Sequence, residues 1–123
     1  VGDGAYQSVC GTPRWMAPEF VFGRPYSFGA DVYSYALILW QLLAWDPKPY
    51  LEYGNDMKRF LKALDGGSRP DVEACRRRGA PEVLCAMLDK AWQKDAEKRP
   101  AMTAVLDAID AGRKAVAASW SQV

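Results

Sequence analysis

Histidine is missing from all 123 residues of the sequence. Its absence excludes, within these residues, general-base catalysis by imidazole, Ser–His and Cys–His nucleophile pairs, and zinc sites with histidine ligands. Cysteine is scarce as well, because only Cys10, Cys75 and Cys85 occur and no Cys-x-x-Cys is present. Three dispersed thiols indicate neither a disulfide framework nor a metal knuckle, and they favour a reducing, intracellular and cytoplasmic location.

An excess of charge and a long apolar run are also lacking. The chain has 16 basic and 15 acidic residues, a formal net charge of +1. This balance argues against binding to nucleic acid or to a membrane surface through bulk charge. No uncharged run reaches about 18 residues, and the N-terminus has no signal-peptide pattern, so we expect no membrane segment. The length suits one domain, and the missing initial methionine suggests a piece of a longer protein.

No stretch alternates apolar and polar residues as a half-buried strand would, so the predicted fold class is all-α. A central helix is expected from Phe28 to Ala44 after an N-cap at Ser27. This helix is apolar on nearly all sides, which predicts a place in the centre of the fold. The other predicted elements are a helical turn at 17–22, a helix capped by Asn55 or Asp56 and ending at Leu64, a helix from Pro81 to about Trp92, and a last helix from about Met102.

Four motifs carry a resemblance to a known family. Residues 11–19 read Gly-Thr-Pro-Arg-Trp-Met-Ala-Pro-Glu and resemble the end of a protein-kinase activation segment. Three further segments follow in the order that the family has. Residues 31–36 are similar to the start of the buried central helix of the large lobe, and residues 39–43 are similar to its continuation. Residues 92–100 are similar to the Arg-bearing segment before the final helix. The resemblance covers 1–112 and leaves 113–123 as a C-terminal tail. It implies the C-terminal half of the large lobe, with the end of the activation segment and four to five helices.

The residues around the first motif indicate which kinases are most similar. Thr12 is typical of serine/threonine kinases, whereas Trp15, Met16 and Trp92 are shared with tyrosine kinases. The combination resembles the tyrosine-kinase-like serine/threonine group, which includes Raf-like and mixed-lineage kinases. Such an enzyme transfers the γ-phosphoryl of ATP, with Mg²⁺, to serine or threonine of a protein substrate. The resemblance assigns substrate binding to Thr12, Arg14, Trp15 and Met16. It implies that Arg14, Trp15 and Met16 border the pocket for the substrate residue after the phosphoacceptor, although Trp15 taken alone could be an ordinary core aromatic.

Three charged residues match structural anchors of the family. The resemblance implies an ion pair between Glu19 and Arg99 that ties the activation segment to the last helices; without it, two independent surface charges would be expected. Asp31 matches an aspartate that accepts hydrogen bonds from the backbone of the catalytic loop. The alternative for Asp31 is a solvated acid in the first turn of a helix, favoured by the helix dipole.

The parts that perform phosphoryl transfer are absent from the sequence. It contains no Gly-x-Gly-x-x-Gly loop, no Val-Ala-Ile-Lys lysine, no His-Arg-Asp and no Asp-Phe-Gly. Since all of these precede the activation segment in the family, one truncation accounts for every absence. We therefore expect no catalytic, cofactor-binding or metal-binding residue in this chain, and a partner in the missing N-terminal part of the kinase domain. The alternative is a non-catalytic, pseudokinase-like module that only binds partners.

A few features lie outside the main assignment. Ser8, or less favourably Tyr6, lies where activation segments are phosphorylated, and a phosphate there could recruit an arginine. The run 76–78 of three arginines indicates either a solvated face or a docking site for an acidic partner. Gln41 stands where the family usually carries glutamate. Cys85, between leucines, is expected in the core.

Overall fold

The computed structural model describes residues 13–25 and 27–120, and these residues fold as helices without any β-strand. This confirms the predicted all-α class. The α-helices are α1 (Pro18–Val21), α2 (Phe28–Ala44), α3 (Met57–Asp65), α4 (Val72–Arg77), α5 (Glu82–Ala91) and α6 (Met102–Trp120). Short 3₁₀ turns lie at Pro13–Trp15, Leu51–Tyr53 and Ala96–Lys98.

Helix α2 has the bounds that the sequence predicts. Ser27 is its N-cap residue with extended backbone, although the serine side chain makes no capping bond. The helix ends where Trp45 takes a left-handed conformation with φ of 55°, and Pro47 follows two residues later. Of the two residues expected to cap α3, Asn55 and Asp56, the structure confirms Asp56. Its carboxylate accepts a hydrogen bond from the backbone N–H of Arg59.

Helix α4 is the element that the sequence did not predict. Its six residues make less than two turns, too few for an apolar period to show. It forms because Asp71 caps its first turn through the N–H of Glu73 and because Cys75 is fully buried. The arginine run lies at its end, where Arg76 pairs with Glu73 and Glu82 and Arg77 pairs with Asp71. Two of the three arginines therefore have carboxylate partners, which favours the solvated-face interpretation over a docking site.

Helix α2 lies at the centre and positions the rest. It packs against α4, α5 and the turns at Pro13–Trp15 and Ala96–Lys98, while α6 packs against α5. Tyr33 and Leu37 of α2 have no exposed surface. Cys85 of α5 is fully buried too, as predicted, and burial raises the pKa of its thiol.

One face of α2 stays uncovered although the helix lies at the centre of the fold. Its members recur every three or four residues, as one stripe of a helix does. They are Phe28, Asp31, Tyr35, Ile38 and Leu42 of the helix and Trp45 directly after it, of which Tyr35 alone is partly covered and the rest are exposed. Phe28 is 88% exposed and Trp45 73%. The opposite faces pack on α4 and α5, but nothing among the described residues covers this stripe, which we call the α2 stripe.

The last helix passes the boundary expected at residue 112. α6 continues to Trp120, and residues 113–120 are exposed along their whole length. Residues 113–120, which belong to the expected tail, thus extend α6. The division of the chain at residue 112 stays a prediction.

Candidate functional site

Glu19 and Arg99 form the ion pair that the resemblance implied. Arg99 donates from Nη1 to Oε2 of Glu19 at 2.7 Å and from Nη2 to Oε1 at 2.9 Å, a bidentate pair. The Arg99 side chain is fully buried and that of Glu19 is 11% exposed. Pro18 at the first position of α1 places Glu19 in its first turn, facing inward.

The remaining donors of Arg99 are also satisfied. Nε donates to the carbonyl of Gln93 at 2.7 Å, Nη1 to that of Gly29 at 2.9 Å, and Nη2 to that of Lys94 at 3.3 Å. A guanidinium has five N–H groups, and with Glu19 all five are used. Arg99 therefore joins α1, the start of α2 and the segment before α6 at one point.

The ring of Tyr33 of α2 is in contact with two guanidinium groups. Arg99 stacks over its ring at 5.0 Å from the centroid and Arg69 at 5.1 Å. The Tyr33 hydroxyl lies 3.2 Å from the Tyr50 hydroxyl. The Tyr50 hydroxyl donates to the carbonyl of Ser68 at 3.4 Å. Burial raises the pKa of both tyrosines, so the cluster stays neutral apart from its arginines and Glu19.

The pKa of Glu19 is set by two opposing effects. Burial by itself disfavours the charged carboxylate, but the hydrogen bonds from Arg99 and the positive charges of Arg99 and Arg69 outweigh it. The pKa of Glu19 is consequently held below its ordinary value of 4.5. The carboxylate is ionised at neutral pH, as a bidentate pair requires.

Arg14 is buried, with its side chain directed toward the segment that follows α2. Its guanidinium donates to the carbonyls of Pro49 at 3.1 Å and Tyr50 at 2.8 Å, and it also bonds that of Gly54. The Phe60 ring lies 5.9 Å from the guanidinium carbon. These contacts hold Arg14 inside the fold, and its assignment to substrate binding stays a prediction.

Trp15, the neighbour of Arg14, is held by a residue of α2 instead. Its indole Nε1 donates to Oε1 of Gln41 at 2.7 Å, and Nε2 of Gln41 donates to the carbonyl of Pro47 at 2.6 Å. Trp15 is half-buried against the core. This partial exposure lies between the two interpretations from the sequence, an ordinary core aromatic and a substrate-binding residue.

Met16 and Asp31 line one shallow depression of about 430 Å³ together with Phe20, Ser27 and Phe28. Asp31 is exposed in the first turn of α2, which matches the solvated alternative as far as the described residues extend. The structure thus brings together Met16 with Asp31 and Glu19 with Arg99, whereas Arg14 and Trp15 face other parts of the fold.

Three residues with expected roles, Thr12, Ser8 and Tyr6, lie outside the described residues. Other residues of the site were missed as such by the sequence reasoning. Tyr33 and Tyr50 were given no role from the sequence, and Gln41 stood only as a departure from the family. The paired cation contacts of Tyr33 depend on residues 36 and 66 positions away, and no local pattern signals them.

Comparison with known proteins identifies the family. The model of the family "Protein tyrosine and serine/threonine kinase" matches residues 5–109. The serine/threonine-protein kinase STY17 of Arabidopsis thaliana is 34% identical over 107 residues, 87% of this chain and 18% of the relative. Mitogen-activated protein kinase kinase kinase 7 of Homo sapiens is 32% identical over 96 residues, 78% of this chain and 15% of the relative.

The chain belongs to the protein tyrosine and serine/threonine kinase family. Its helical architecture is that of the C-terminal helical lobe of a kinase domain, as the resemblance implied. The chain spans less than one fifth of the length of the curated relatives named above, 18% and 15%.

Proposed function

We propose that the whole protein is a serine/threonine protein kinase of the tyrosine-kinase-like group. It transfers the γ-phosphoryl of ATP to serine or threonine of an intracellular protein, and this chain forms the platform that receives the substrate. The observation that carries the proposal is the fixed position of residues 14–19. Arg14 is held by the segment after α2, Trp15 by Gln41, and Glu19 by Arg99.

A platform for a peptide must keep its shape while substrates come and go. Residues 14–19 contain only one 3₁₀ turn and one short helix, which alone would be mobile. Their three attachments reach residues 26 to 80 positions away in the chain. Pre-organisation of this kind reduces the ordering cost of substrate binding. Met16, which is not used by any of these attachments, faces the depression beside Asp31.

The α2 stripe supports a second part of the proposal. An apolar face that runs the whole length of a central helix is rarely left to water in a folded protein. We propose that the N-terminal part of the kinase domain covers it in the whole protein. Asp31, the only charged member of the α2 stripe, would then accept hydrogen bonds from that part, since a buried carboxylate needs donors.

The place where ATP and Mg²⁺ bind is a further part of the proposal. Among them no three acidic, cysteine or histidine side chains are grouped as metal ligands. The sequence has no glycine-rich phosphate loop either. We propose that nucleotide and metal bind to other parts of the whole protein, and no catalytic step is assigned to residues of this chain.

Among the described residues, no helix is long and apolar enough to span a bilayer.

Transfer of radiolabelled phosphate tests the proposal. The whole protein, with Mg²⁺ and γ-labelled ATP, is expected to label a protein substrate such as myelin basic protein or itself. The 123-residue chain alone is expected to transfer no label. A whole protein that binds partners but transfers no label to any of a panel of protein substrates would contradict the proposal and favour the non-catalytic module.

A further inference from the structure

Gln41 makes two side-chain hydrogen bonds that its place in the sequence does not predict. It lies near the C-terminal end of α2, half-buried, with both ends of its side-chain amide in hydrogen bonds. The orientation of the amide follows from its partners. An indole N–H can only donate and a carbonyl can only accept, so the Gln41 oxygen must face Trp15 and its nitrogen must face Pro47.

The second partner makes this contact more than a local one. Pro47 belongs to the segment 46–54 that leaves α2, and carbonyls of the same segment accept the hydrogen bonds of Arg14. Arg14 and Trp15 are neighbours, yet they reach this segment by separate routes, one directly and one through Gln41. Two attachments to one segment fix both the position and the rotation of residues 14–16.

We propose that Gln41 is a positioning residue for substrate binding, acting through Trp15 on the platform formed by residues 14–16. The inference rests on the proposed function and deepens it by naming what sets the platform's orientation. Substrate selectivity for the residue after the phosphoacceptor then depends on an amide that does not contact the substrate. A glutamate at this position could accept from Trp15 but would set its second oxygen against the Pro47 carbonyl, so it cannot make the relay.

The test compares steady-state kinetics of the whole protein carrying Gln41→Ala, Trp15→Phe or both. Each single variant loses the Trp15 bond, so each is expected to raise KM for a peptide substrate about three- to tenfold with kcat nearly unchanged. The double variant is expected to be no worse than the poorer single variant, because both changes break the same contact. Gln93→Ala is the matched control: this half-buried glutamine accepts a hydrogen bond through its backbone carbonyl, which the substitution keeps.

Peptides that differ only in the residue after the phosphoacceptor supply the decisive readout. The inference predicts that Gln41→Ala changes the ranking of these peptides by kcat/KM, which a loss of stability alone would not do. If Gln41→Ala fails to fold, Gln41→Met carries the test, since methionine keeps the length of the side chain and removes both amide hydrogen bonds. An unchanged KM and ranking in a folded variant, with normal wild-type activity, would overturn this inference alone. A wild type without transfer activity would overturn the proposed function and the inference with it.

Discussion

Arg99 donates two parallel hydrogen bonds to the carboxylate of Glu19, a residue 80 positions earlier in the chain. Because both side chains are almost fully buried, neither charge can return to water when its partner is removed. The pair therefore acts as the connection between the segment that presents the substrate platform and the segment that precedes the last helix.

Removal of either member is expected to be costly. Arg99→Ala or Glu19→Ala should lower the free energy of unfolding by about 3–5 kcal/mol, because each leaves an uncompensated buried charge. Arg99→Lys should rescue only part of this loss, since an ammonium group cannot supply five donors in a fixed plane. Urea unfolding of the protein measures the loss in the alanine variants and its partial rescue by lysine.

Arg113→Ala is the matched control for Arg99→Ala. Arg113 pairs with Asp110 on the surface of α6, with side chains 70% and 49% exposed. An exposed pair of this kind is worth at most about 1 kcal/mol, so the control should hardly change stability. Equal effects of Arg99→Ala and Arg113→Ala would show that the buried pair is no anchor.

The lowered pKa of Glu19 gives its contribution a defined pH dependence. A carboxyl whose pKa is lower in the folded state stabilises the fold above its unfolded pKa, with an ordinary value of 4.5. This contribution is lost as the pH falls below about 4.5 and through the folded pKa. The stability difference between wild type and Glu19→Gln should be constant from pH 7 to about 5 and shrink below that range. A difference independent of pH down to about 2 would contradict an ionised Glu19.

Gly112 tests how α6 packs on α5. An added Cβ at Gly112 would lie 2.9 Å from Cγ and Cδ1 of Leu84, closer than side chains approach. Gly112→Ala should therefore lower stability by about 1 kcal/mol, a clash of about 1–3 kcal/mol less the gain of about 1 kcal/mol in helix propensity. In a Leu84→Ala background the same substitution should become neutral or stabilising, as a double-mutant cycle by thermal unfolding will show.

The α2 stripe predicts opposite outcomes in two settings. In the 123-residue chain, Leu42 is 64% exposed, and Leu42→Lys should reduce self-association measured by analytical ultracentrifugation. In the whole protein the same lysine would be buried, and stability should fall by about 2–4 kcal/mol. Leu106→Lys on α6, at a site 53% exposed and outside the α2 stripe, is the control. If Leu42→Lys is harmless in the whole protein, the α2 stripe is not covered there.

The sequence was sufficient for the elements with long patterns or clear caps. α2 has the predicted bounds because Ser27 and the prolines after Ala44 delimit an apolar run, and the Glu19–Arg99 pair followed from matched motifs. Contacts that depend on tertiary geometry were not accessible in this way. Helix α4 is too short to show a period, and the two hydrogen bonds of Gln41 join residues that no spacing rule relates.

Asp31 shows the same limit from the opposite side. Its match to the family implied a carboxylate that accepts hydrogen bonds from the catalytic loop, but the described residues leave it exposed on the α2 stripe. Burial of a side chain depends on what packs over it, which a motif within the chain does not contain. Its role as an anchor accordingly depends on the proposed cover of the stripe.

The identity of the phosphorylated amino acid tests the central claim most directly. The whole protein is incubated with Mg²⁺ and γ-labelled ATP, and the labelled protein substrate is hydrolysed and separated into phosphoamino acids. A serine/threonine kinase built on this platform should yield phosphoserine or phosphothreonine, and label should fall sharply in a folded Gln41→Ala variant at limiting substrate. Phosphotyrosine as the sole product, or no transfer by the intact protein, would contradict the account.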